Sequence, residues 1–422
     1  MSKKKLLSSI AVALAITFTA PFSSIAKAEG KPVPNIVAKS ALVMDADTGE
    51  IIYSKDADTK RFPASITKLL TGLILAENKG KSDPIAFTSS AKSQPQYSFD
   101  INIAKGKTQV GDTMSADDAM KALLLFSAND WAYAIADSVA GNTTEFSNIM
   151  NKKAKELGMN NTHFITPNGL HDENHYTTAY DLALLGKAAF NNPWVRETMA
   201  LKDAKISTSS NIIGLIENRN KNLGVDGGIG GKTGYTEPAG KSLLNIYERD
   251  GRHLVGVVLK SVYDQQDTQM FKDMKDIIDY SYSAEKITAY QKDTAIKTVP
   301  VKYKSFRFFG SEKTLEVPLV AHEDIKYYDN EINKNNTSLE VKEGSINPWK
   351  LKGDSKIATL EVNQRDSSKS YDIYTNVDTS SLTKASIMGI SVLVGLGLLI
   401  ILAITIVILL IRKQIRRRRR YF

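Results

Sequence analysis

The sequence predicts an α+β protein in three parts: an antiparallel sheet with a mostly helical insertion, a small β-rich domain, and a C-terminal transmembrane helix. Strand-like alternation occurs near residues 41–53 and again at 242–259, and helical periodicity dominates the stretch between them. Short alternating strands continue over 287–374, and a charge-free apolar run then covers 387–411. These patterns place the three parts in that order along the chain.

The N-terminus has the composition of a secretory signal peptide. Three lysines at 3–5 precede an apolar run from Leu6 to Ile25, and Ala26-Lys27-Ala28 supplies a small-x-small cleavage site. A buried N-terminal helix fits this succession of charge, apolar run and cleavage site less well. We therefore predict a signal peptide at residues 1–28, which is removed from the mature protein.

The C-terminal apolar run is long enough to cross a membrane. As a helix, residues 387–411 span roughly 37 Å, against about 30 Å for the hydrocarbon core of a bilayer. A polar linker, 376–386, precedes the run and a basic tail, 412–422, follows it. Arginine runs also occur in nucleic-acid-binding segments, but beside a membrane span such a run indicates a cytoplasmic C-terminus. We predict a single-pass cell-membrane protein with an extracytoplasmic body.

The net charge of +9 belongs to the chain ends rather than to the body. Four basic residues lie in 1–28 and seven in 412–422, so the part between them is slightly acidic. This distribution gives no support to a polyanion-binding body, and we expect no nucleic-acid partner. The lack of cysteine excludes thiol nucleophiles, cysteine-ligated zinc and iron–sulfur clusters.

Residues 29–285 are predicted to form the first domain. An Asp/Gly turn joins strands at 41–44 and 51–53, and Asp250-Gly251 joins strands at 242–247 and 253–259. Periodicity and capping residues predict helices that begin near Ser65, Ser115, Trp131, Asn142 and Thr178, and a later helix around 271–278. Strands from both ends of this region therefore frame a helical insertion. Residues 286–375 are predicted to form the β-rich domain.

A Ser-x-x-Lys pair, Ser65 and Lys68, stands where an apolar helix is predicted to begin. Backbone N–H groups are unpaired there and the helix dipole is positive, so a serine in that place can attack an acyl carbon. Lys68 lies one turn later on nearly the same face, and a lowered pKa would make it a base. The same spacing recurs at Ser89/Lys92 and elsewhere. A helix-capping serine followed by a surface lysine therefore explains these two residues equally well.

Two further motifs favour the catalytic interpretation. Ser127-x-Asn129 lies between two apolar helical segments, where a hydroxyl can relay a proton and an amide can hold a substrate amide. Lys232-Thr233-Gly234 stands just before the predicted hairpin strands. Its lysine and threonine can bind a carboxylate, and its glycine allows the close approach of a substrate.

In this order, the three motifs resemble the motif set of penicillin-binding proteins and serine β-lactamases. Longer stretches, such as "FSNIMNKKAKELGMNNTHFITPNGL" and "TTAYDLALL", resemble the low-molecular-mass D-alanyl-D-alanine carboxypeptidases. The likeness covers nearly the whole body, including the β-rich part after residue 286. It implies the β-lactamase/DD-peptidase fold for residues 29–285. It also implies a serine-type carboxypeptidase that trims terminal D-alanine from peptidoglycan stem pentapeptides, without a cofactor or metal.

The resemblance further implies catalytic roles for particular residues. Ser65 would be the acylated nucleophile and Lys68 its general base. Ser127 would pass the proton to the leaving D-alanine nitrogen. The backbone N–H groups of Ser65 and Tyr235 would form the oxyanion hole. The implied partners are stem peptides ending in D-Ala-D-Ala, and β-lactam antibiotics as covalent inhibitors.

The remaining motif residues would bind substrate. Asn129 would position the peptide, and Lys232 and Thr233 would hold the terminal carboxylate beside Gly234 and Tyr235. Lys232 would also help to keep the base neutral. The stretch "VDGGIGGKTG" contains more glycine before its lysine than the resembling family usually has.

Other interpretations share parts of this pattern. A serine β-lactamase, a DD-transpeptidase or an endopeptidase would use the same three motifs, although no clear Glu-x-x-Leu-Asn segment supplies the deacylating carboxylate of class A β-lactamases. A non-enzymatic wall-binding protein on this fold would not need an intact Ser65 and Lys68. His171 and His175 have a spacing that zinc sites use, but they lie in a Pro/Asn/Gly loop without the glutamate of a zincin helix. We predict no metal site there.

Overall fold

The computed structural model describes residues 16–18, 32–94, 108–343 and 346–418. Its strands are β1 (Ile16–Phe18), β2 (Ser40–Asp45), β3 (Ile51–Lys55), β4 (Pro84–Ala86), β5 (Thr113–Ser115), β6 (Asp203–Ser207), β7 (Ile213–Glu217), β8 (Gly228–Thr236), β9 (Gly240–Arg249), β10 (Arg252–Ser261), β11 (Ile287–Tyr290), β12 (Ala295–Phe306), β13 (Phe309–Ala321), β14 (Ile325–Tyr327), β15 (Ser338–Glu343), β16 (Ser355–Asn363) and β17 (Ser368–Thr375). Its α-helices are α1 (Lys68–Asn78), α2 (Ser89–Lys92), α3 (Ala116–Lys121), α4 (Asn129–Ala140), α5 (Thr143–Glu156), α6 (Ala179–Asn191), α7 (Pro193–Met199), α8 (Gln269–Ser283), α9 (Glu331–Asn336) and α10 (Ser380–Arg418).

A five-stranded antiparallel sheet forms the centre of the first domain, in the order β3-β2-β10-β9-β8. Strands β2 and β3 precede the helical insertion and β8 to β10 follow it, which confirms the predicted arrangement. Successive side chains of β2 point to opposite faces of the sheet. Leu42 and Met44 pack against the helical insertion, whereas Ala41 and Val43 pack with α8. The sheet is therefore buried on both faces.

Three of the predicted helix starts inside the insertion, those at Ser115, Asn142 and Thr178, are confirmed by capping contacts. The Oγ of Ser115 accepts a hydrogen bond from the N–H of Asp118 at 3.1 Å, which begins α3. The side chains of Asn142 and Thr178 cap α5 and α6 in the same way. These caps satisfy N–H groups that the helices themselves cannot pair. The helical insertion thus follows signals that are local in the sequence.

The β-rich part contains a six-stranded antiparallel sheet in the order β1-β15-β16-β17-β13-β12. It has its own hydrophobic cluster, with Leu360 and Ile373 among the buried residues. Helix α9 was not predicted, and it connects this part to the first domain. The side-chain amides of Asn330 and Asn333 both donate to the backbone oxygen of Ile51 in β3, at 2.8 and 2.9 Å.

The apolar C-terminal helix begins earlier than predicted. Helix α10 starts at Ser380, so much of the predicted polar linker 376–386 is helical. The Asp378 carboxylate accepts a hydrogen bond from the Ser380 N–H at 2.7 Å, and no glycine or proline follows before Gly389. Among the described residues, α10 is the helix long and apolar enough to cross a membrane. The predicted signal peptide, apart from β1, and residues 419–422 of the predicted tail lie outside the described residues.

Candidate active site

Ser65 lies on a single 3₁₀ turn, Ala64–Thr67, immediately before α1. Its side chain caps neither the turn nor the helix, because the N-cap positions are Pro63 and Thr67 and neither has a side-chain cap bond. The Ser65 Oγ instead lies 3.0 Å from the Nζ of Lys68. The structure therefore argues against the capping interpretation.

Lys68 is fully buried, and its amine contacts three oxygen atoms. Besides Ser65 Oγ, these are the Oδ1 of Asn129 at 2.7 Å and the backbone oxygen of Asn168 at 2.6 Å. The amide and carbonyl oxygens only accept hydrogen bonds, so they take both N–H groups of a neutral amine. The remaining lone pair can then accept the hydroxyl proton of Ser65. The contacts match a lysine that acts as a base.

The electrostatics of the site favour that neutral amine. Burial, followed by the nearby charges of Lys232 and Arg219, holds the pKa of Lys68 well below its usual range, although Asp130 opposes this effect. Lys232 is also buried, with an exposed fraction of 1%. Burial, with a contribution from Arg219, lowers the pKa of Lys232 to about 7. Two buried amines and one guanidinium thus disfavour further positive charge in the site.

The Ser-x-Asn motif lies at a break between two helical segments. A π-helical turn over Ala122–Phe126 ends at Ser127, whose φ of 75° is in the left-handed region, and α4 begins at Asn129. This conformation is strained for a residue with a side chain. The Ser127 Oγ is buried, has no hydrogen-bond partner among the described residues, and lines the cleft that contains Ser65. An unpaired hydroxyl in that place is available to a substrate.

The Lys-Thr-Gly motif lies inside β8, the edge strand of the central sheet. The sequence prediction located it before the hairpin strands, because β8 contains too few apolar side chains to show strand alternation. Gly234 packs against the turn that contains Ser65: a Cβ added there would come 3.0 Å from the Pro63 oxygen. A side chain there would force the Pro63 backbone to shift by a few tenths of an ångström, so glycine favours the close approach of the β8 edge to the serine.

The glycines before Lys232 have a structural explanation. A Cβ added at Gly231 would collide with the backbone oxygen of Leu244 in β9, and one at Gly230 would come 3.0 Å from the Cβ of Met199. The approach to the lysine is thus a tightly packed part of β8 rather than a loop. Glycine here allows β8 to pack against β9 and α7.

A cleft of about 220 Å³ opens over these motifs. Its lining includes Ser65, Ser127, Thr233, Gly234 and Tyr235. The other predicted site residues, Lys68, Asn129 and Lys232, are buried behind that lining. The structure therefore brings all eight predicted site residues together around one cleft.

Further residues form the rim of the cleft. Lys241 and Asp267 make an ion pair of 2.7 Å, and the Lys241 amine lies 4.6 Å from the ring centre of Tyr235. Tyr263 packs beside Tyr235, with ring centres 5.9 Å apart. This rim presents charge and aromatic surface to any group that extends out of the cleft.

Two contributors to the site were missed in the sequence. Arg219 lines the cleft, with its guanidinium 4.5 Å from the ring centre of Phe126. In the sequence it lies in a connecting segment that contains none of the three motifs. Asn168 contributes a backbone oxygen, which carries no side-chain signature. An arginine outside any motif and a backbone carbonyl group leave no pattern that sequence analysis can recognise.

His175 has a structural role in the loop that supplies Asn168. Its Nε2 lies 3.0 Å from the Oγ1 of Thr67, and its Nδ1 accepts a hydrogen bond from the N–H of Ile165 at 3.2 Å. Burial lowers its pKa to about 3, so the ring is neutral at physiological pH. His175 therefore supports the residue that precedes Lys68.

The fold and this site define a serine-type peptidase. More specifically, the chain belongs to the D-alanyl-D-alanine carboxypeptidase family, peptidase family S11, whose model matches residues 26–262. This match confirms the resemblance inferred from the three motifs. It also covers every predicted site residue.

Relatives extend the likeness beyond the catalytic domain. The chain is 29% identical over 358 residues to the D-alanyl-D-alanine carboxypeptidase DacF of Bacillus subtilis, which covers 81% of this chain and 88% of that protein. It is 32% identical over 268 residues to DacC of Escherichia coli, with coverage of 62% and 66%. The first of these matches is too long to be confined to the family domain, so it also includes part of the β-rich region.

Solved structures share the fold. A D-alanyl-D-alanine carboxypeptidase of Mycobacterium tuberculosis matches with a TM-score of 0.56 and 27% identity, over 62% of this chain and 97% of that one. The Streptomyces K15 DD-transpeptidase matches with a TM-score of 0.53 and 28% identity, over 59% and 99%. These matches confirm the predicted DD-peptidase-like fold.

Proposed function

We propose that this protein is a membrane-anchored, extracytoplasmic carboxypeptidase that removes the terminal D-alanine from peptidoglycan stem pentapeptides. The observation that carries the proposal is the 3.0 Å contact between Ser65 Oγ and the buried amine of Lys68. A neutral amine in that place can take the hydroxyl proton while the oxygen attacks the carbonyl carbon of the penultimate D-alanine. The product of this attack is a tetrahedral intermediate, which collapses to an acyl-serine when the C–N bond to the terminal D-alanine breaks.

The other site residues support the remaining steps. The backbone N–H groups of Ser65 and Tyr235 stabilise the oxyanion, and Asn129 positions the peptide. Ser127 delivers its proton to the departing nitrogen of D-alanine and takes up the proton that Lys68 received from Ser65, so the Lys68 amine is neutral again. Lys232 and Thr233 bind the terminal carboxylate. These roles agree with family membership and with the position of each group around the cleft.

Hydrolysis completes the reaction. Once D-alanine has left, a water molecule enters the space beside the ester and loses its proton to Lys68 as it attacks. The serine oxygen then leaves and recovers a proton from the same amine. A β-lactam acylates Ser65 by the same first step, and its opened ring remains attached because the leaving nitrogen is part of the bound molecule.

The composition of α10 and its basic end supports the proposed membrane anchor. The helix is apolar and largely exposed over residues 387–411, and Arg412, Lys413 and the later arginines follow it. The excess of positive charge favours a cytoplasmic C-terminus. Protease added to intact, wall-stripped cells should therefore remove the body and leave a small membrane-bound fragment. Protection of the entire chain from the protease would indicate the opposite orientation.

Two measurements on the full chain test the catalytic proposal. Purified protein in detergent should release D-alanine from a pentapeptide that ends in D-Ala-D-Ala. A fluorescent penicillin should label the wild type but not Ser65→Ala. Ser89→Ala, in the other Ser-x-x-Lys pair within the body's helices, is the matched control and should label normally. Labelling of Ser65→Ala would overturn the acyl-serine mechanism.

A transpeptidase activity is the second candidate, because the K15 DD-transpeptidase has the same fold and 28% identity. In that reaction an amine replaces water as the acceptor of the acyl group. The D-alanine release assay should be repeated with added amine acceptors, and the peptide products should be separated by mass. A product that contains the amine would establish transfer, whereas only the shortened peptide would establish hydrolysis.

A further inference from the structure

The turn between β12 and β13 forms an exposed aromatic tip, which we define as residues 305–311. Phe308 and Phe309 in this tip are 73% and 47% exposed. The rings of Phe306 and Phe309 stack with their centres 5.3 Å apart, and the Arg307 guanidinium lies 5.4 Å from the ring centre of Phe308. A soluble surface rarely exposes neighbouring phenylalanines in this way, so the tip has the character of an interaction site.

The aromatic tip lies against the apolar helix α10. A Cβ added at Gly389 would come 2.5 Å from Cε1 of Phe306, so the helix and this ring are in direct contact. Gly389 is two residues beyond Ile387, where the apolar run begins. At 1.5 Å per residue, the contact therefore lies about 3 Å inside that run. The tip stands at the level where the helix would enter a bilayer.

Hydrogen bonds fix the start of α10 to the β-rich part. The Oγ1 of Thr379 and the Oγ1 of Thr383 donate to the backbone oxygens of Leu351 and Trp349, each at 3.1 Å. The Trp349 ring in turn packs edge-on against Tyr303 of β12, with centres 5.6 Å apart. Because the helix start is attached to the strand that carries the tip, the height of the tip relative to the apolar run is set by the fold.

The residues around the tip suit a phospholipid surface. Trp349 and Tyr303 near the helix start are the residue types that concentrate at the membrane–water boundary. Lys304, Arg307 and Lys313 are exposed on the tip and its flanking strands, where they can meet lipid phosphates. Exposed aromatic rings beside basic side chains are typical of segments that enter the interfacial region of a bilayer.

We propose that the aromatic tip inserts into the interfacial region of the outer leaflet beside α10, as a second membrane contact of the body. The proposal rests on the membrane anchor in the proposed function. A helix alone is one point of attachment, about which the body can tilt. The tip adds a second point and restricts that tilt, so the active-site cleft stays at a defined height above the lipid.

The chain contains no cysteine, so a single probe can be placed without altering any native thiol. Ser311→Cys places an environment-sensitive fluorophore in the tip and leaves all its phenylalanines intact. Lys292→Cys is the matched control at the opposite end of the hairpin, where the N–H of Asp293 bonds to the oxygen of Ala321. That end lies about 40 Å from the tip along β13, at roughly 3.3 Å per residue. The labelled full chains would be reconstituted into phosphatidylcholine–phosphatidylglycerol vesicles and floated on a density gradient.

The readout is quenching by lipids with a nitroxide near the top of the acyl chain. We expect the probe at 311 to be quenched and its emission to shift to the blue, with neither effect at 292. Adding Phe308→Asp and Phe309→Asp should abolish the quenching at 311, while the chain still floats and is still labelled by penicillin. A chain that floats but has an unquenched tip probe would overturn the proposed tip insertion and leave the membrane anchor intact. This includes a blue shift without quenching, which would indicate that protein covers the tip. A chain that fails to float would overturn the membrane anchor as well.

Discussion

The Lys68 amine lies 2.6 Å from the backbone oxygen of Asn168, a residue one hundred positions further along the chain. This contact and the contact with Asn129 Oδ1 occupy the two N–H groups of a neutral lysine, which directs its lone pair to Ser65. Gly169 makes the contact possible, because a Cβ there would collide with the Ala64 oxygen. The loop that contains Asn168 therefore packs directly on the turn that contains the serine.

Replacing Lys68 by arginine should abolish acylation without unfolding the protein. A guanidinium remains protonated, so it cannot take the Ser65 proton. We expect the rate of labelling by fluorescent penicillin to fall by about 10²- to 10⁴-fold, the usual contribution of a general base. Lys92→Arg, in the exposed Ser-x-x-Lys pair, is the control and should be unaffected. A Lys68→Arg enzyme that acylates at a near-normal rate would exclude this lysine as the base.

Arg219 should control the pH dependence of acylation. Burial, Lys232 and Arg219 lower the pKa of Lys68, so loss of the guanidinium should raise it towards its ordinary value. The reactive form is the neutral amine. A higher pKa therefore moves the acidic limb of the pH–rate profile to higher pH, and activity at a given pH on that limb falls.

The matched pair for this prediction is Arg219→Gln and Arg219→Lys, since only the first removes the charge. The second-order rate of penicillin labelling would be measured from acidic to alkaline pH. The acidic limb should shift upwards in Arg219→Gln and stay near the wild-type position in Arg219→Lys. If the acidic limb lay at the same pH in the wild type and in Arg219→Gln, the guanidinium would not act on the pKa of the base.

Substitutions of Ser127 should affect the stability of the protein and its activity differently. Its left-handed backbone is strained for any residue with a side chain, and glycine relieves that strain by roughly 1–2 kcal/mol. Ser127→Gly should therefore have a higher Tm than Ser127→Ala. Both variants lack the hydroxyl and should release D-alanine about 10²- to 10⁴-fold more slowly than the wild type. Retention of peptide hydrolysis in both variants would contradict the proposed proton relay.

Lys232 should select substrates with a free C-terminus. A charge-assisted hydrogen bond contributes about 1.5–3 kcal/mol, so amidating the terminal D-alanine should reduce kcat/KM roughly 10- to 150-fold. In Lys232→Gln the kcat/KM values for the acid and the amide substrates should become similar. The ratio between them is the informative quantity, because loss of the Lys232 charge also acts on the pKa of Lys68. A mutant with the full wild-type preference for the acid would show that another group binds the carboxylate.

The sequence predicted the parts of the fold that depend on local signals. The cap at Ser115, the turn at Asp250-Gly251 and the apolar run at 387–411 are each encoded by neighbouring residues, so periodicity, composition and turn chemistry reveal them. Strand β8 and helix α9 were missed for physical reasons. In β8 glycine replaces apolar side chains because other backbone packs against it, and α9 is short and held by amide contacts to β3.

Sequence patterns alone identified the side chains to which we assign the chemistry, because the hydroxyls of two serines, two amines and an amide in ordered motifs are chemical identities that a pattern can carry. Their environment depends on the folded chain. The depressed pKa of Lys68 arises from burial and from charges at Lys232 and Arg219, which lie far away in the chain. The direction of its lone pair depends on a backbone oxygen at Asn168, which any residue type could supply. Burial and backbone contacts are properties of packing, so they exist only when the chain is folded.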